Sequence, residues 1–413
     1  MLSEKTEIYE EAITNIKISQ NNENLKSIIT PVDLVEIDGS LLEGGGQILR
    51  ISSTLSVLFQ KDSKIFNIRG KRSNPGLQRQ HLAAINTLCS MTGSKLEGAK
   101  LSSKEILIKP GELSKIPSSI KCDCDGAGSV GLLIQQLLTC LIFAPHKVDL
   151  ELLGGTIVSH APPTFYIQDV LKTIGHEKLQ MNFSIDTKKH GLFPVGRGLS
   201  NFQSEPVKCL SPVSLTSRGK LIKILFRVAS TDNFNIISFE DSAKELFKQL
   251  KKSSYSYVKS DDESLKDQDF ELENFINIEK EAIKLHKFKN TFTMFAQGIF
   301  YFENTVISVE NLYSEKIENT KIQTFCYEFI EKMDKILFMK NVCLDEFTVD
   351  HLIIFLALAK GRSKIHIGEV SKHTLTALEV IRSFIPSFEY EISIKDDCNI
   401  LEIEGIGFLN NFI

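Results

Sequence analysis

The sequence predicts an α/β protein of the α+β kind, in which repeated βαβαββ units form a large domain that carries a smaller inserted α/β domain. Three observations predict it. Short alternating runs recur between segments with apolar residues at helical spacing. The order strand, helix, strand, helix, strand, strand appears twice before residue 205 and again in part near the C-terminus. Between about 205 and 305 that rhythm breaks and then resumes. We therefore expect a polar and mobile extension over 1–33, a large domain from 34–204 and 306–413, and an inserted domain over 205–305.

In the first unit, Asp33-Leu-Val-Glu-Ile-Asp38 alternates as a strand does. Gly44–Gly46 then makes a turn, and Ile48–Phe59 has helical spacing. Lys64–Ile68 reads as a strand, and Leu77–Met91 as a helix stopped by Gly93. Leu96–Leu101 and Glu105–Ile108 close the unit as strands. The second unit runs through a strand at Ser119–Cys122, a helix at Ser129–Phe143 and a strand at Val148–Leu153. A helix at Thr164–Ile174, a strand at Leu179–Ile185 and a weaker element near Leu192 complete it.

Within the interruption, Lys220–Val228 reads as a strand and Ala243–Leu250 as a short helix. Ser253–Asp269 reads as a charged loop that trimming should leave dispensable for the fold, and Phe292–Phe302 is apolar again. Helices follow at Phe325–Ile336, Phe347–Ala359 and Thr374–Phe384, with strands at Lys364–Ile367, Tyr390–Ile394 and Leu401–Glu404.

Composition narrows the function classes. The chain has 413 residues, with 48 Lys+Arg against 52 Asp+Glu, so its formal net charge is −4. A globally basic nucleic-acid coat is excluded, whereas a local phosphate-binding patch is not. The N-terminus has no apolar segment of secretory type. Val130–Pro145 is the most apolar stretch, but Gln135 and Gln136 interrupt it, and it reads as a buried helix and not a membrane span. Eight cysteines without zinc-ribbon spacing suit reduced thiols in a cytosolic or nuclear protein.

Three constellations carry candidate chemistry. Glu43-Gly-Gly-Gly-Gln-Ile-Leu-Arg50 lies between a strand and a helix. It reads either as a cradle of free N–H groups for phosphate or as a tight turn with ordinary capping. Arg69, Lys71, Arg72 and Arg79 surround the Pro75-Gly76 turn, either as a phosphate-binding edge or as a solvated basic loop. Near the C-terminus, Asp350-His351 opens an apolar helix, and Ser371 can cap the helix that begins Lys372-His373-Thr374. A helix N-terminus disfavours imidazolium, so His373 is expected to be neutral, either as a nucleophile or as a surface histidine beside a cap. Two scattered carboxylates, Glu43 and Asp350, are a thin basis for a metal site.

These residues resemble the RNA 3′-terminal phosphate cyclase family. The resemblance begins in Ile37-Asp-Gly-Ser40, Glu43–Arg50, Ile68-Arg-x-x-Arg72 and Pro75-Gly-Leu-x-x-Gln80-His-Leu82. It continues through Leu96-Glu-Gly-Ala99, Ala127-Gly-Ser-Val130 with Gln135, Gly154-Gly-Thr156 and Ala161-Pro162. Asp350-x-Leu-Ile-Ile-Phe355 and His373-Thr-x-Thr376 complete it, so it spans residue 34 to the C-terminus. It implies the repeated βαβαββ fold with an insertion, shared with enolpyruvyl transferases.

The resemblance also implies a ligase-type reaction. A histidine takes AMP from ATP, AMP passes to the 3′-phosphate of RNA, and the neighbouring 2′-hydroxyl closes a 2′,3′-cyclic phosphate. By motif position His373 is the implied nucleophile and Asp350 a carboxylate beside it. Glu43 is implied near a divalent ion, Mg or Mn, and Arg50 among the phosphates. Gly44, Gly45, Gly46, Gln47, Gln135, Pro162, Phe347, Asp350 and His351 are the implied nucleotide contacts. Arg69, Arg72 and Gln80 are the implied RNA-phosphate contacts, so Arg69 and Arg72 are expected to matter more for RNA cyclisation than for self-adenylylation. His351 stands where the family usually has Gln, and Pro194-Val-Gly-Arg-Gly198 replaces a run of three glycines. The implied partners are ATP and RNA with a 3′-phosphate, with no membrane. The implied location is nuclear or cytoplasmic, and nuclear for a eukaryotic member. The rival readings are a cyclase-like factor of ribosome biogenesis without cyclase activity and, on the fold alone, an enolpyruvyl transferase.

Overall fold

Residues 34–231, 277–286, 293–314, 319–339, 341–395 and 398–413 are described by a computed structural model. The expected extension over 1–33, helix over 243–250 and loop over 253–269 lie outside these residues.

The first unit is β1 (Val35–Asp38), α1 (Gly46–Phe59), β2 (Ser63–Phe66), α2 (Arg79–Thr92), β3 (Lys95–Glu97) and β4 (Ile106–Lys109). Its sheet order is β1-β2-β4-β3. The β1–β2 pair is parallel, as a crossover helix requires, and the other two pairs are antiparallel. The second unit repeats this wiring. It comprises β5 (Ser119–Asp123), α3 (Val130–Leu141), β6 (Val148–Gly154), a helix over 164–179 that we label α4, β7 (Phe183–Lys189) and β8 (Gly198–Ser204), in the order β5-β6-β8-β7. Helix α4 passes through a π turn at Ile167–Leu171.

The third unit starts with the short β9 (Ser214–Leu215) and is then interrupted. The interruption builds its own sheet from β10 (Leu221–Ser230), β11 (Asn277–Lys284), β12 (Met294–Phe302) and β13 (Val306–Tyr313), in the order β11-β10-β12-β13. Helix α5 (Asn319–Phe338) packs on it through Phe325, Phe329 and Met333. The unit resumes with α6 (Glu346–Leu358), β14 (Lys360–Ile367), α7 (Lys372–Phe384), β15 (Glu389–Lys395) and β16 (Cys398–Ile406). Its order, β15-β16-β14-β9, is the wiring of the other two units, with β9 parallel to β14.

The sheet pairing differs from the expected boundaries. The expectation divided the chain at 305, but β13 and α5 belong with β12, while β9 at 214–215 belongs with β14. The β9–β14 partners Ser214 and Lys364 are 150 residues apart and leave no local mark in the sequence. Two further spans shift. The chain expected to form a strand from Leu179 is still helical there, and the element sought near Leu192 is strand β8, from Gly198.

One core serves all three units. Ile48, Leu49 and Leu55 of α1, Leu133 and Leu137 of α3, Leu352 and Phe355 of α6, and Leu378 and Ile381 of α7 are buried together. Helix α1 is buried on nearly every face, and Thr54 Oγ1 donates to Gln136 O of α3 at 2.9 Å. Burying α1 between α3 and α7 brings the start of α1 to the start of α7, although 326 residues separate Gln47 from His373. The stretch 130–145 read as a buried helix is the buried α3. No helix among the described residues is long and apolar enough to cross a membrane. All eight cysteines are free thiols.

Candidate active site

The site lies where the first turns of α1 and α7 meet. Gly44 has φ +61°, a conformation glycine adopts without strain, and it turns the chain from β1 into α1. Gly45 is the N-cap of α1 and offers no side-chain cap, so the first N–H groups of the helix are left for another acceptor. Side chains fill the space where Cβ atoms would stand. At Gly45 a Cβ would lie 2.9 Å from Arg72 Nη2, and at Gly46 it would lie 2.5 Å from His81 Nε2 and 3.1 Å from Arg50 Nη1.

Helix α7 is capped by Ser371, whose Oγ accepts from Thr374 N at 2.9 Å, which puts His373 in the first turn. His373 Nδ1 lies 3.0 Å from Gln47 Oε1 and 2.5 Å from Glu43 Oε2. Both neighbours are acceptors, so Nδ1 carries the proton and Nε2 carries the lone pair. Burial holds the ring below the usual histidine range. Asp350 pulls the other way, and Arg50 and Arg72 add to the depression. The expected neutral imidazole is thus favoured, with burial as the main cause.

Glu43 pairs with Arg72 through Oε1, while its buried Oε2 faces His373 Nδ1. Asp350 does not hold the ring through a hydrogen bond. Its Oδ1 accepts from Thr374 Oγ1 at 2.7 Å and from Ser371 Oγ at 3.1 Å, so it anchors the start of α7. Burial raises its carboxyl to about 6, against the lowering effect of Thr374, His373 and Ser371.

A cleft beside this junction is lined by Arg50, Thr54, Gln135, Asp350, His351 and Ile354, among others. Burial lowers Arg50 to about 10, so it remains charged at neutral pH. His351 is buried and held down to about 4, again by burial first, with Phe347 O at 2.7 Å from its Nδ1. That carbonyl assigns the proton to Nδ1 and makes Nε2 an acceptor. Arg50 Nε, Gln135 Oε1 and His351 Nε2 are all buried without a hydrogen-bond partner. Three such atoms around one cleft are open to hydrogen bonds from a ligand or from ordered water.

The structure thus gathers Glu43, Gln47, Arg50, Arg72, Gln135, Asp350, His351 and His373. Other expected contacts are engaged elsewhere. Arg69 Nη1 donates to the carbonyls of Asn74 and Gly76 and so braces its own loop. Gln80 Oε1 accepts from Ser129 N at 3.3 Å, at the start of α3. Pro162 packs on Gly131, one helical turn before Gln135. The Phe347 ring is 66% exposed at the mouth of α6. The sequence marks Ser371 as a cap and His81 and Thr374 as members of motifs, but not the contacts of Ser371 and Thr374 with Asp350 or of His81 with the Gly-rich turn. His81 Nδ1 accepts from Gln78 N at 3.1 Å in a capping box, and burial pushes the ring down to about 3. The Gln78-x-x-His81 spacing was the available signal.

Among the described residues no group of three or more His, Cys, Asp or Glu forms a metal-binding cluster. Glu43, whose Oε2 has only the His373 ring beside it, is the carboxylate that would supply one ligand to a divalent ion otherwise held by phosphate oxygens and water.

The chain is similar to known proteins over most of its length. A family model described as RNA 3′-terminal phosphate cyclase matches residues 41–391. A protein of Dictyostelium discoideum named as a probable RNA 3′-terminal phosphate cyclase is 31% identical over 393 residues, covering 91% of this chain and 84% of its own. An RNA 3′-terminal phosphate cyclase of Desulfurococcus amylolyticus is 31% identical over 382 residues (91% and 99%), and one of Drosophila melanogaster is 28% identical over 389 (92% and 99%).

Proposed function

Since the chain belongs to the RNA 3′-terminal phosphate cyclase family, we propose that it uses ATP to convert an RNA 3′-terminal phosphate to a 2′,3′-cyclic phosphate through a histidine–AMP intermediate on His373. The observation that carries this reading is the tautomer. Glu43 and Gln47 occupy the Nδ1 side of His373, so Nε2 is the nucleophile.

In the first step Nε2 bonds to the α-phosphorus and pyrophosphate leaves with the electron pair of the P–O bond. Positive charge grows on the ring as the P–N bond forms, and Glu43 beside Nδ1 stabilises it. Arg50 and the first N–H groups of α1, which no side chain caps, would face the phosphates. In the second step an oxygen of the RNA 3′-phosphate attacks the same phosphorus and Nε2 departs with its lone pair. In the third the 2′-hydroxyl loses its proton, O2′ bonds to the 3′-phosphorus, and AMP leaves. Glu43 would hold Mg or Mn beside the phosphates, and the ion would supply charge neutralisation on the triphosphate. Gln135 and His351 would contact the base in the cleft, and Arg72 would reach the RNA phosphate.

The test is incubation with ATP labelled at the α-phosphate. We expect a covalent adduct that is labile to acid and stable to base, lost in His373→Ala and slowed in Asp350→Ala, which loosens the α7 start. Peptide mapping that places AMP on His351 or on a lysine would overturn the assignment. No adduct at all would favour the non-catalytic ribosome-biogenesis reading.

A further inference from the structure

A row of polar side chains, buried at Arg227 and Gln297 and open to solvent at Glu281, crosses the inserted sheet on the face opposite α5. Arg227 of β10 stands directly across from Glu281 of β11 and from Gln297 of β12, and Gln297 stands across from Glu310 of β13. Ile224, Phe226 and Val228 alternate to the other face and pack against α5. Arg227 is 3% exposed. Its Nη1 donates to Gln297 Oε1 at 2.6 Å and to Asp169 Oδ2 at 2.7 Å, and its Nε donates to Glu281 Oε2 at 2.7 Å. The guanidinium lies 4.4 Å from the ring centre of Phe165.

Asp169 and Phe165 belong to α4 of the second unit, and Asp169 lies within the π turn. The apolar residues Phe165, Ala229, Leu285 and Phe295 pack around the same contact. A buried arginine matched by this many groups is costly to assemble, and an apolar contact would have joined the two parts as well. Its distinguishing property is geometric, because a planar guanidinium that donates to three side chains at once fixes their relative orientation. What it orients is visible one turn away. Tyr166 OH donates to Thr348 Oγ1 at 3.1 Å and lies 3.4 Å from His351 Nδ1.

The inserted sheet grips α6 at a second point. Ser308 N of β13 donates to Asp345 Oδ2 at 3.3 Å, and Asp345 Oδ1 caps α6 by accepting from Thr348 N at 2.9 Å. Both routes from the inserted sheet converge on Thr348, two residues before Asp350.

We propose that Arg227 is a positioning residue: by clamping Asp169 it holds the π turn in the register that aims Tyr166 at α6, and so sets His351 and Asp350 for the nucleotide. A π turn carries one residue more than the α-helical path. Losing it would rotate Tyr166 relative to Asp169 by about 100°, so the two contacts stand or fall together. The proposal depends on the cyclase reading only for the identity of the ligand.

The experiment compares the full chain with Arg227→Met, Arg227→Lys and Asp169→Asn. Two readouts are used: amide hydrogen exchange over 164–171 and 345–351, and equilibrium binding of ATP. In Arg227→Met we expect faster exchange in both segments and about tenfold weaker ATP binding, with exchange in β1–β4 unchanged and partial recovery in Arg227→Lys. If Arg227→Met does not fold, Asp169→Asn, which keeps the side-chain shape, carries the same comparison. A folded variant with native exchange in both segments, or with faster exchange but native ATP affinity, would overturn the proposal. A native chain that binds no ATP would count against the cyclase reading instead, and the exchange data would still decide whether the clamp exists.

Discussion

His351 and Gln135 face the cleft with two acceptors, because the His351 proton is committed to Phe347 O. Two buried acceptors favour a ligand that brings a donor, such as the exocyclic amine of adenine, and disfavour a carbonyl at that position. ATP should therefore form the adduct more readily than inosine triphosphate, which carries a carbonyl there. His351→Gln supplies an amide that can present either a donor or an acceptor, so it should narrow that preference by about tenfold, equivalent to ~1.4 kcal/mol. Competition between the two nucleotides in adduct formation measures this. An unchanged ratio would mean that Nε2 does not meet the base. The histidine itself was apparent in the sequence as a departure from Gln, but its tautomer required the Phe347 carbonyl one turn earlier in the folded helix.

The starts of α1 and α7 act as one element, since Arg72, Glu43 and His373 form a continuous chain of contacts. This changes what the basic loop is expected to do. From the sequence, Arg69 and Arg72 share one task on the RNA and leave self-adenylylation largely alone. In the fold Arg69 is engaged with its own loop, whereas Arg72 steadies the carboxylate beside the nucleophile. Arg72→Ala should therefore slow adduct formation about tenfold as well as weaken RNA binding. Arg69→Ala should act mainly by loosening the 69–76 loop. Single-turnover adduct formation measured without RNA separates the two, and equal native rates would refute the Arg72 assignment.

Elements with apolar periodicity, such as α1, α3 and α7, or with a continuous apolar run, such as α6, could be read from the sequence because their pattern is local. Strand β11, with its alternating charges at Glu279, Lys280 and Glu281, and strand β13, ending in Glu310-Asn-Leu-Tyr313, could not. Their strand character comes from pairing with β10 and β12. Likewise Gly44–Gly46 and His373 were evident as motifs, while the acceptors that fix the ring depend on packing of distant helices.

Four titratable groups, His81 and His351 buried and Asp350 and Glu310 partly so, give the whole molecule a stability profile whose limbs have different causes. Burial holds His81 down to about 3 and His351 down to about 4, so both stay neutral in the fold while the unfolded chain protonates them below about 6.5. Burial raises Asp350 to about 6 and Glu310 to about 8, the latter helped by Asp345, so both keep a proton that the unfolded chain has released. The signs follow from which state binds more protons. Below about pH 4.5 the carboxyls are protonated in both states, so the histidines dominate and stability falls as pH falls. Between about 4.5 and 6 the two kinds of group oppose one another, and the profile flattens. From about 6.5 to 8 Glu310 is, of these four, the group that still differs between the states: the unfolded glutamate is ionised and the folded one is not. Stability should therefore decline as pH rises through that window, with a slope approaching ~1.4 kcal/mol per pH unit, and level off above it. Glu310 lies in the polar row that joins the inserted sheet to α4, so this limb also reports on that contact. Denaturant unfolding from pH 4 to 9 tests the profile, with Glu310→Gln as the control that should remove the decline above 6.5 and leave the acid limb in place. A native profile flat between 6.5 and 8, or a decline that persists in Glu310→Gln, would show that the Glu310 carboxyl ionises normally in the folded sheet.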